Sequence, residues 1–194
     1  MASLVETHIH AIYVGSEFVH VPAPILMADP RLFLRLIGSY QVTYTFAPHF
    51  FLSRLLRTLT TTNTVQDGLD ISCLRRLVSG GESNTIDTVV ALTRVLQGYN
   101  LQSEVIRPGF GMTETCAGSI YSKACPSYDV ARGNPFASLG KPIPGIQMQY
   151  VLKFSLLKRN SLFNLRQPKF GNLRLNHPLK SQRFAEITLS TSSF

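Results

Sequence analysis

The chain reads as an α/β domain: a mainly parallel sheet with flanking helices, followed by an irregular basic C-terminal tail. Three observations predict it. Segments with the two-residue period of strands alternate with segments of helical period, the rhythm of strand, crossover and strand. Two of the strands run into glycine-containing turns, Ser79-Gly80-Gly81-Glu82 and Pro108-Gly109-Phe110-Gly111, and open α/β sheets take ligands at the carboxyl ends of their strands. Finally, 194 residues with 44% hydrophobic content are enough for one globular core.

The elements follow in order. Met1 to Tyr13 is apolar-rich and reads as a helix without a start signal. His8 and His10 stand two apart, so a helix turns them to different faces, and they read as surface or core histidines rather than metal ligands. Phe18 to Val21 reads as a short strand closed by Pro22 and Pro24. Asp29-Pro30 starts a helix, with Asp29 as cap and Pro30 at the first helical position. Its apolar stripe is Leu32, Phe33, Leu36 and Ile37, and Gly38 marks its end. Val42 to Phe46 alternates at period two and is rich in strand formers. A helix then runs from Pro48 to about Leu59, with Phe51, Leu52, Leu55, Leu56 and Leu59 on one side as a packing stripe. Thr60 to Asp70 is a polar connection, and Leu74 to Val78 is the strand that feeds Gly80-Gly81. Asn84 with Asp87 resembles a capping arrangement for a helix from Thr85 to Gln97, ended by Gly98. Val105-Ile106 begins the strand leading to Phe110, Tyr121 to Ser138 is loop-rich, and Ile146 to Val151 alternates as a further strand.

No run of about 18 uninterrupted apolar residues is present, so no membrane span is expected. The N-terminus lacks the basic region, apolar stretch and cleavage site of a secretory signal. Cys73, Cys116 and Cys125 form neither a close pair nor a metal-ligand spacing, which predicts reduced thiols in a cytoplasmic protein. The formal charge of +8 is unevenly spread. Residues 1–151 carry eleven basic against ten acidic residues, whereas 152–194 carry eight against one. The basicity therefore belongs to the tail and gives no reason to place nucleic acid at the glycine turns.

Arg107 to Thr115 offers the groups a nucleotide needs. Phe110 has an aromatic face for a base, Gly109 and Gly111 let a ligand approach the backbone, Thr113 has a hydroxyl for a phosphate oxygen, and Glu114 has a carboxylate for Mg²⁺, which prefers oxygen ligands. Taken singly, each glycine pair reads rather as an ordinary turn, and Glu114 as a solvated helix-start carboxylate. The order of three motifs changes that reading. Ser79-Gly80-Gly81-Glu82, then Phe110-Gly111-Met112-Thr113-Glu114, then Leu139-Gly140-Lys141-Pro142-Ile143-Pro144-Gly145 resemble successive motifs of the adenylate-forming (AMP-binding) synthetases, which include acyl-CoA synthetases and the adenylation domains of nonribosomal peptide synthetases. Phe110 to Gly118 and Val42 to Pro48 resemble the fungal synthetase-like type.

The resemblance covers residues 1–151 and implies a fragment of the large N-terminal domain of such an enzyme. It implies that Gly80, Gly81 and Glu82 flank the adenine, with Phe110 and Gly111 on its other side, that Thr113 contacts the α-phosphate, and that Glu114 holds Mg²⁺; Thr113 and Glu114 are thus the catalytic candidates. It places Leu77, Ser79, Gly109, Ala117 and Gly118 around the acid. The implied cofactors are ATP or AMP with Mg²⁺, and the implied partners a carboxylic acid and a thiol acceptor, CoA or the phosphopantetheine of a carrier protein, with no membrane and no nucleic acid. The phosphate loop, ribose-binding aspartate and catalytic lysine of the family have no counterpart here; neither Lys141 nor Lys153 stands in the corresponding motif. The expectation is an incomplete site that does not adenylate alone. Alternatives from other classes are a non-catalytic nucleotide-binding or interaction module and a nucleic-acid binder acting through the tail. The composition break at 152 predicts that the tail arises from a reading-frame change or a retained intron, with a genuine basic arm as the rival.

Overall fold

The computed structural model describes residues 3–61 and 68–147. The N-terminal helix begins with wide π-helical turns over Ser3–Ile9 and tightens into α1 (His10–Val14), ended by Gly15 in the left-handed conformation. Phe18 to Val21, expected as a strand, is not one; Pro22 and Pro24 instead open α2 (Ala23–Ala28). Proline lacks the N–H that a strand ladder needs but suits the first turn of a helix. Asp29 then acts as predicted at the start of α3 (Arg31–Tyr40): its carboxylate accepts the Arg31 N–H at 3.1 Å and pairs with the Arg35 guanidinium.

Gly38 does not end α3. It lies within the helix because a Cβ there would come within 2.9 Å of the Asp70 carbonyl oxygen. The helix ends two residues later, where Gln41 turns left-handed and donates from Nε2 to the Gly38 carbonyl at 2.7 Å. β1 (Tyr44–Phe46), α4 (His49–Thr61), β2 (Arg76–Ser79), α5 (Ile86–Gln97) and β3 (Ile106–Gly111) follow the predicted alternation. Residues 62–67 of the polar connection lie outside the described residues. The expected start of α5 is displaced: Asn84 does not cap it but is buried against β2, and Thr85 precedes the first turn with its hydroxyl bonded to that of Thr88 at 2.9 Å.

The sheet has the order β1-β2-β3-β4-β5. β1, β2 and β3 are parallel, connected by α4 and α5, which pack on each other. Leu77 of β2 and Ile106 of β3 join Leu52, Leu55, Leu92 and Leu96 in one apolar cluster, and Phe33 of α3 meets Phe51 of α4 edge to face at 5.3 Å. β4 (Gly118–Tyr121) pairs antiparallel with β3, and β5 (Lys141–Pro142) pairs antiparallel with β4. The direction of β4 follows from chain length: six residues separate it from β3, and a parallel return needs a crossover of a dozen or more. Within the stretch read as loop-rich, α6 (Ser127–Arg132) carries the buried Asp129, which gathers Asn134 Nδ2 at 2.9 Å, the Ser138 N–H at 3.0 Å and the Ser138 hydroxyl. The third motif begins just beyond that knot. The predicted strand over 146–151 begins without strand pairing at Ile146 and Gln147, and its remainder, like the tail, lies outside the described residues.

The three cysteines are free, and among the described residues no group of His, Cys, Asp and Glu is arranged to hold a metal. Burial pushes the Cys125 thiol up to about 12, with the Asp129 and Glu104 carboxylates adding to it; burial also raises Cys73. The native state thus keeps the Cys125 proton more tightly than the unfolded chain, whose ordinary value is 9.0. The resulting stability is complete below that value and declines as pH rises from there toward 12. With a thiol reagent at roughly neutral to mildly alkaline pH, the expected order is exposed Cys116 first, half-buried Cys73 next and Cys125 only on unfolding. Peptide mapping of the label checks this, and labelling of Cys125 as fast as Cys116 would contradict the packing.

Candidate functional site

Ser79 lies opposite Pro108 in the parallel register of β2 and β3; the first glycine turn leaves the sheet at Gly80, whereas Gly109 to Gly111, expected as a turn, continue β3 because β4 returns beside them and pairs with them. The backbones of Gly80 and Gly109 touch. A Cβ on Gly80 would lie 2.6 Å from the Gly109 carbonyl oxygen, closer than side chains pack, so position 80 admits only glycine without displacement of β3. Below this contact the Ser79 hydroxyl donates to Asn84 Oδ1 at 2.7 Å, and Asn84 Nδ2 returns toward the Ser79 carbonyl at 3.5 Å. Asn84 also accepts the Ala137 N–H on its backbone carbonyl at 2.8 Å. A fully buried serine and asparagine thus satisfy one another and fix the exit of β2.

Past Gly80 the chain turns at Gly81, φ +84°, and presents Glu82. Its Oε1 accepts the Phe50 N–H at 2.8 Å, at the N-terminus of α4, where a carboxylate satisfies an orphan donor and faces the positive end of the helix dipole. Beside it the His49 ring Nε2 meets the Thr85 hydroxyl at 3.1 Å, tying the same helix start to the beginning of α5.

Phe110, 42% exposed, stands at the end of β3 where the register with β4 shifts. Such irregularities re-aim side chains at sheet rims. Here the Ser119 hydroxyl bonds the Phe110 carbonyl at 3.1 Å. A single 3₁₀ turn, Thr113–Thr115, carries Thr113 and Glu114 into solvent. Glu114 takes no hydrogen bond from the described residues, so its four lone-pair positions are open. The turn is stapled by Thr115: its Oγ1 accepts the Met112 N–H at 3.2 Å and lies 3.0 Å from the Met112 carbonyl and 2.9 Å from that of Ala117, to one of which it donates. Cys116 closes the turn at φ 66°, ψ −39°, a strained conformation for a residue with a Cβ.

The contact thus sets Gly80, on its turn, against Gly109 of β3; Phe110 and Gly111 complete that strand, and Thr113 and Glu114 follow on the 3₁₀ turn. Ala117 and Gly118 follow, half-buried, at the entry to β4. Leu77, two residues before Ser79 on β2, is fully buried in the core cluster. Arg107, on β3, has its pKa lowered by burial and by the neighbouring charge of Arg76.

Sequence reasoning missed two residues here. Glu6, on the N-terminal helix, reaches the Gly118 N–H and the Tyr121 hydroxyl, and burial together with that carboxylate raises the pKa of Tyr121. The available signal was a lone acidic residue in an otherwise apolar stretch, Leu4-Val5-Glu6. The helix-start bond of Glu82 yields a prediction: Glu82→Ala lowers stability by about 0.5–2 kcal/mol, the usual cost of a lost cap, measured by thermal or urea denaturation without nucleotide. Unchanged stability would mean that the contact to Phe50 is of no consequence.

The sequence model of the family described as AMP-binding enzyme matches residues 2–153. Among curated proteins, the microperfuranone synthase of Emericella nidulans is 52% identical over 149 residues, 77% of this chain and 16% of that protein. The nonribosomal peptide synthetase acyN of Ascocoryne sarcoides is 41% identical over 194 residues, taking in 99% of this chain, and so reaching beyond the span of the family match, and 20% of that protein. Among solved structures, the A-PCP of McyG complexed with phenylalanyl-adenylate superposes with a TM-score of 0.69 at 31% identity, covering 74% of this chain and 22% of that one. An adenylation domain of a keto acid-selecting NRPS module, bound to keto acyl adenylate, gives 0.56 at 25% identity over 63% of this chain and 27% of that one. The chain spans about a fifth of the length of the curated relatives it matches.

Proposed function

The chain belongs to the family of AMP-binding enzymes, and from that premise we propose that it supplies the paired-turn core of an adenylation site. In the full-length protein this site activates a carboxylic acid with ATP to an acyl-adenylate, which passes to a thiol of CoA or of a carrier-protein phosphopantetheine. The observation that carries this reading is the contact of the Gly80 and Gly109 backbones beside exposed Phe110, Thr113 and Glu114.

Gly80, Gly81 and Glu82 would line one face of the adenine through their backbone, and Phe110 the other, with Gly111 giving access at the edge. The Thr113 hydroxyl donates to a phosphate oxygen. Glu114 fits Mg²⁺ in charge and exposure: that ion is held by one or two carboxylates together with substrate phosphates, and when bound it neutralises phosphate charge. The acid would lie toward Gly109, Ala117 and Gly118, with Leu77 and Ser79 forming the floor. Positioning and charge complementarity supply most of the rate in such a step, so each donor counts. Part of the same reading are a cytoplasmic location, a boundary near residue 151 between the adenylation segment and the basic tail, and dependence on the rest of a longer protein for turnover. Among the described residues no helix is long and apolar enough to cross a membrane.

In the full-length protein carrying these residues, Glu114→Gln is expected to lower acid-dependent pyrophosphate exchange by about a hundredfold or more; unchanged exchange would remove Glu114 from the metal. For the 194-residue chain, Phe110→Ala is expected to weaken AMP affinity by about tenfold, the usual worth of one aromatic face on a base. Equal affinities by calorimetry would place the base elsewhere.

A further inference from the structure

We propose that Glu6 is a positioning residue that sets the place of the Thr113–Glu114 turn without itself touching a ligand. The inference rests on the adenylation reading for its consequence and on geometry alone for its structure. Glu6 Oε1 receives the backbone N–H of Gly118, 112 residues away along the chain, and the Tyr121 hydroxyl at 2.5 Å. Oε2 faces the Tyr44 hydroxyl at 3.4 Å. One carboxylate on the N-terminal helix thereby ties that helix to β4 at both its first and last residues, and to β1.

The turn has two ends. The near end is fixed by the pairing of β3 in the sheet; the far end is Gly118, where β4 begins. Between them Thr115 closes the loop on its own backbone, while Thr113 and Glu114 project into solvent. Their placement is therefore inherited from the two ends: Gly118 pairs with Gly111 of β3, and Glu6 ties that paired end to the N-terminal helix. Hydrogen bonds to an ionised acceptor are about twice as strong as neutral ones. Two donors converge on one oxygen, which makes this a charge-assisted tether at the far end of the loop. The room around it is used up: a Cβ at position 118 would strike both the Tyr121 phenol and the Glu6 carboxylate, so the tether and the glycine require each other.

The test uses Glu6→Ala, which removes both acceptors, Glu6→Gln, which keeps shape but loses charge, and Tyr121→Phe, which removes one donor. Amide hydrogen exchange in the 194-residue chain is read at Gly118, with Leu77 and Ile106 as reporters of the parallel sheet. The expected result is faster exchange at Gly118 by about tenfold or more in Glu6→Ala, less in Glu6→Gln, and no change at Leu77 and Ile106, as for local opening. Unchanged exchange at Gly118 overturns the tether. Acceleration at Leu77 and Ile106 in both Glu6→Gln and Tyr121→Phe also overturns it, since the carboxylate would then hold the whole sheet. In the full-length protein, Glu6→Gln is expected to lower kcat of pyrophosphate exchange about tenfold with little change in the KM for ATP, and Tyr121→Phe to add little on top of it. Wild-type kcat in Glu6→Gln overturns the positioning role. A wild-type protein without exchange instead defeats the adenylation reading, and amide exchange then decides the tether by itself.

Discussion

The parallel register that sets Ser79 opposite Pro108 is the constraint on which the site depends. Once β2 and β3 are paired this way, the backbone that leaves β2 at Gly80 must pass Gly109 of β3 at less than side-chain distance. Glycine at 80 is then a steric requirement rather than a flexible joint. The pairing is in turn secured from the interior, where Leu77 and Ile106 pack with the facing leucines of α4 and α5. Burial on this side fixes the sheet, and the sheet fixes where two pieces of polar backbone meet.

Beyond β3 the fold changes its logic. The short link to β4 forces an antiparallel return, so the chain doubles back over its own turn instead of crossing the sheet again. The turn that carries Thr113 and Glu114 is thus the bend of a hairpin, with strain at Cys116 and a threonine hydroxyl as its internal support. Strained backbone persists where its surroundings over-determine it, and here the surroundings are the bulged end of β3 and the tethered start of β4.

Much of this was legible in the sequence, and the failures have physical causes. Alternating periods gave the parallel half, because β1 to β3 and their helices bury regular stripes such as Phe51, Leu52 and Leu55. The motif order pointed to the meeting of Gly80 with Gly109, although the second segment is strand rather than turn. Phe18 to Val21 was misread since an apolar run does not reveal whether a neighbouring strand exists to pair with it. Gly38 and Asn84 looked like punctuation, yet one accommodates the Asp70 carbonyl and the other pins Ser79. Both roles depend on partners 5 to 32 residues distant, which local pattern does not specify. β4 escaped notice because Gly118-Ser119-Ile120-Tyr121 is short and contains only two strong strand formers. Glu6 escaped because its partners lie 38 to 115 residues away.

Two carboxylates, Glu6 and Glu82, share one task in this architecture. Each reaches from its own segment to a backbone N–H at the first residues of another: Glu82 to Phe50 at the start of α4, and Glu6 to Gly118 at the start of β4. Neither belongs to the apolar core, and both attach to the rims of the paired turns. The core therefore decides whether the sheet exists, while these polar tethers decide where its loops stand. Such a division lets a loop shift by the breaking of one hydrogen bond without exposing apolar surface. Hydrogen bonds of this kind contribute only about 1–3 kcal/mol each, well within the range that a bound ligand can supply or withdraw.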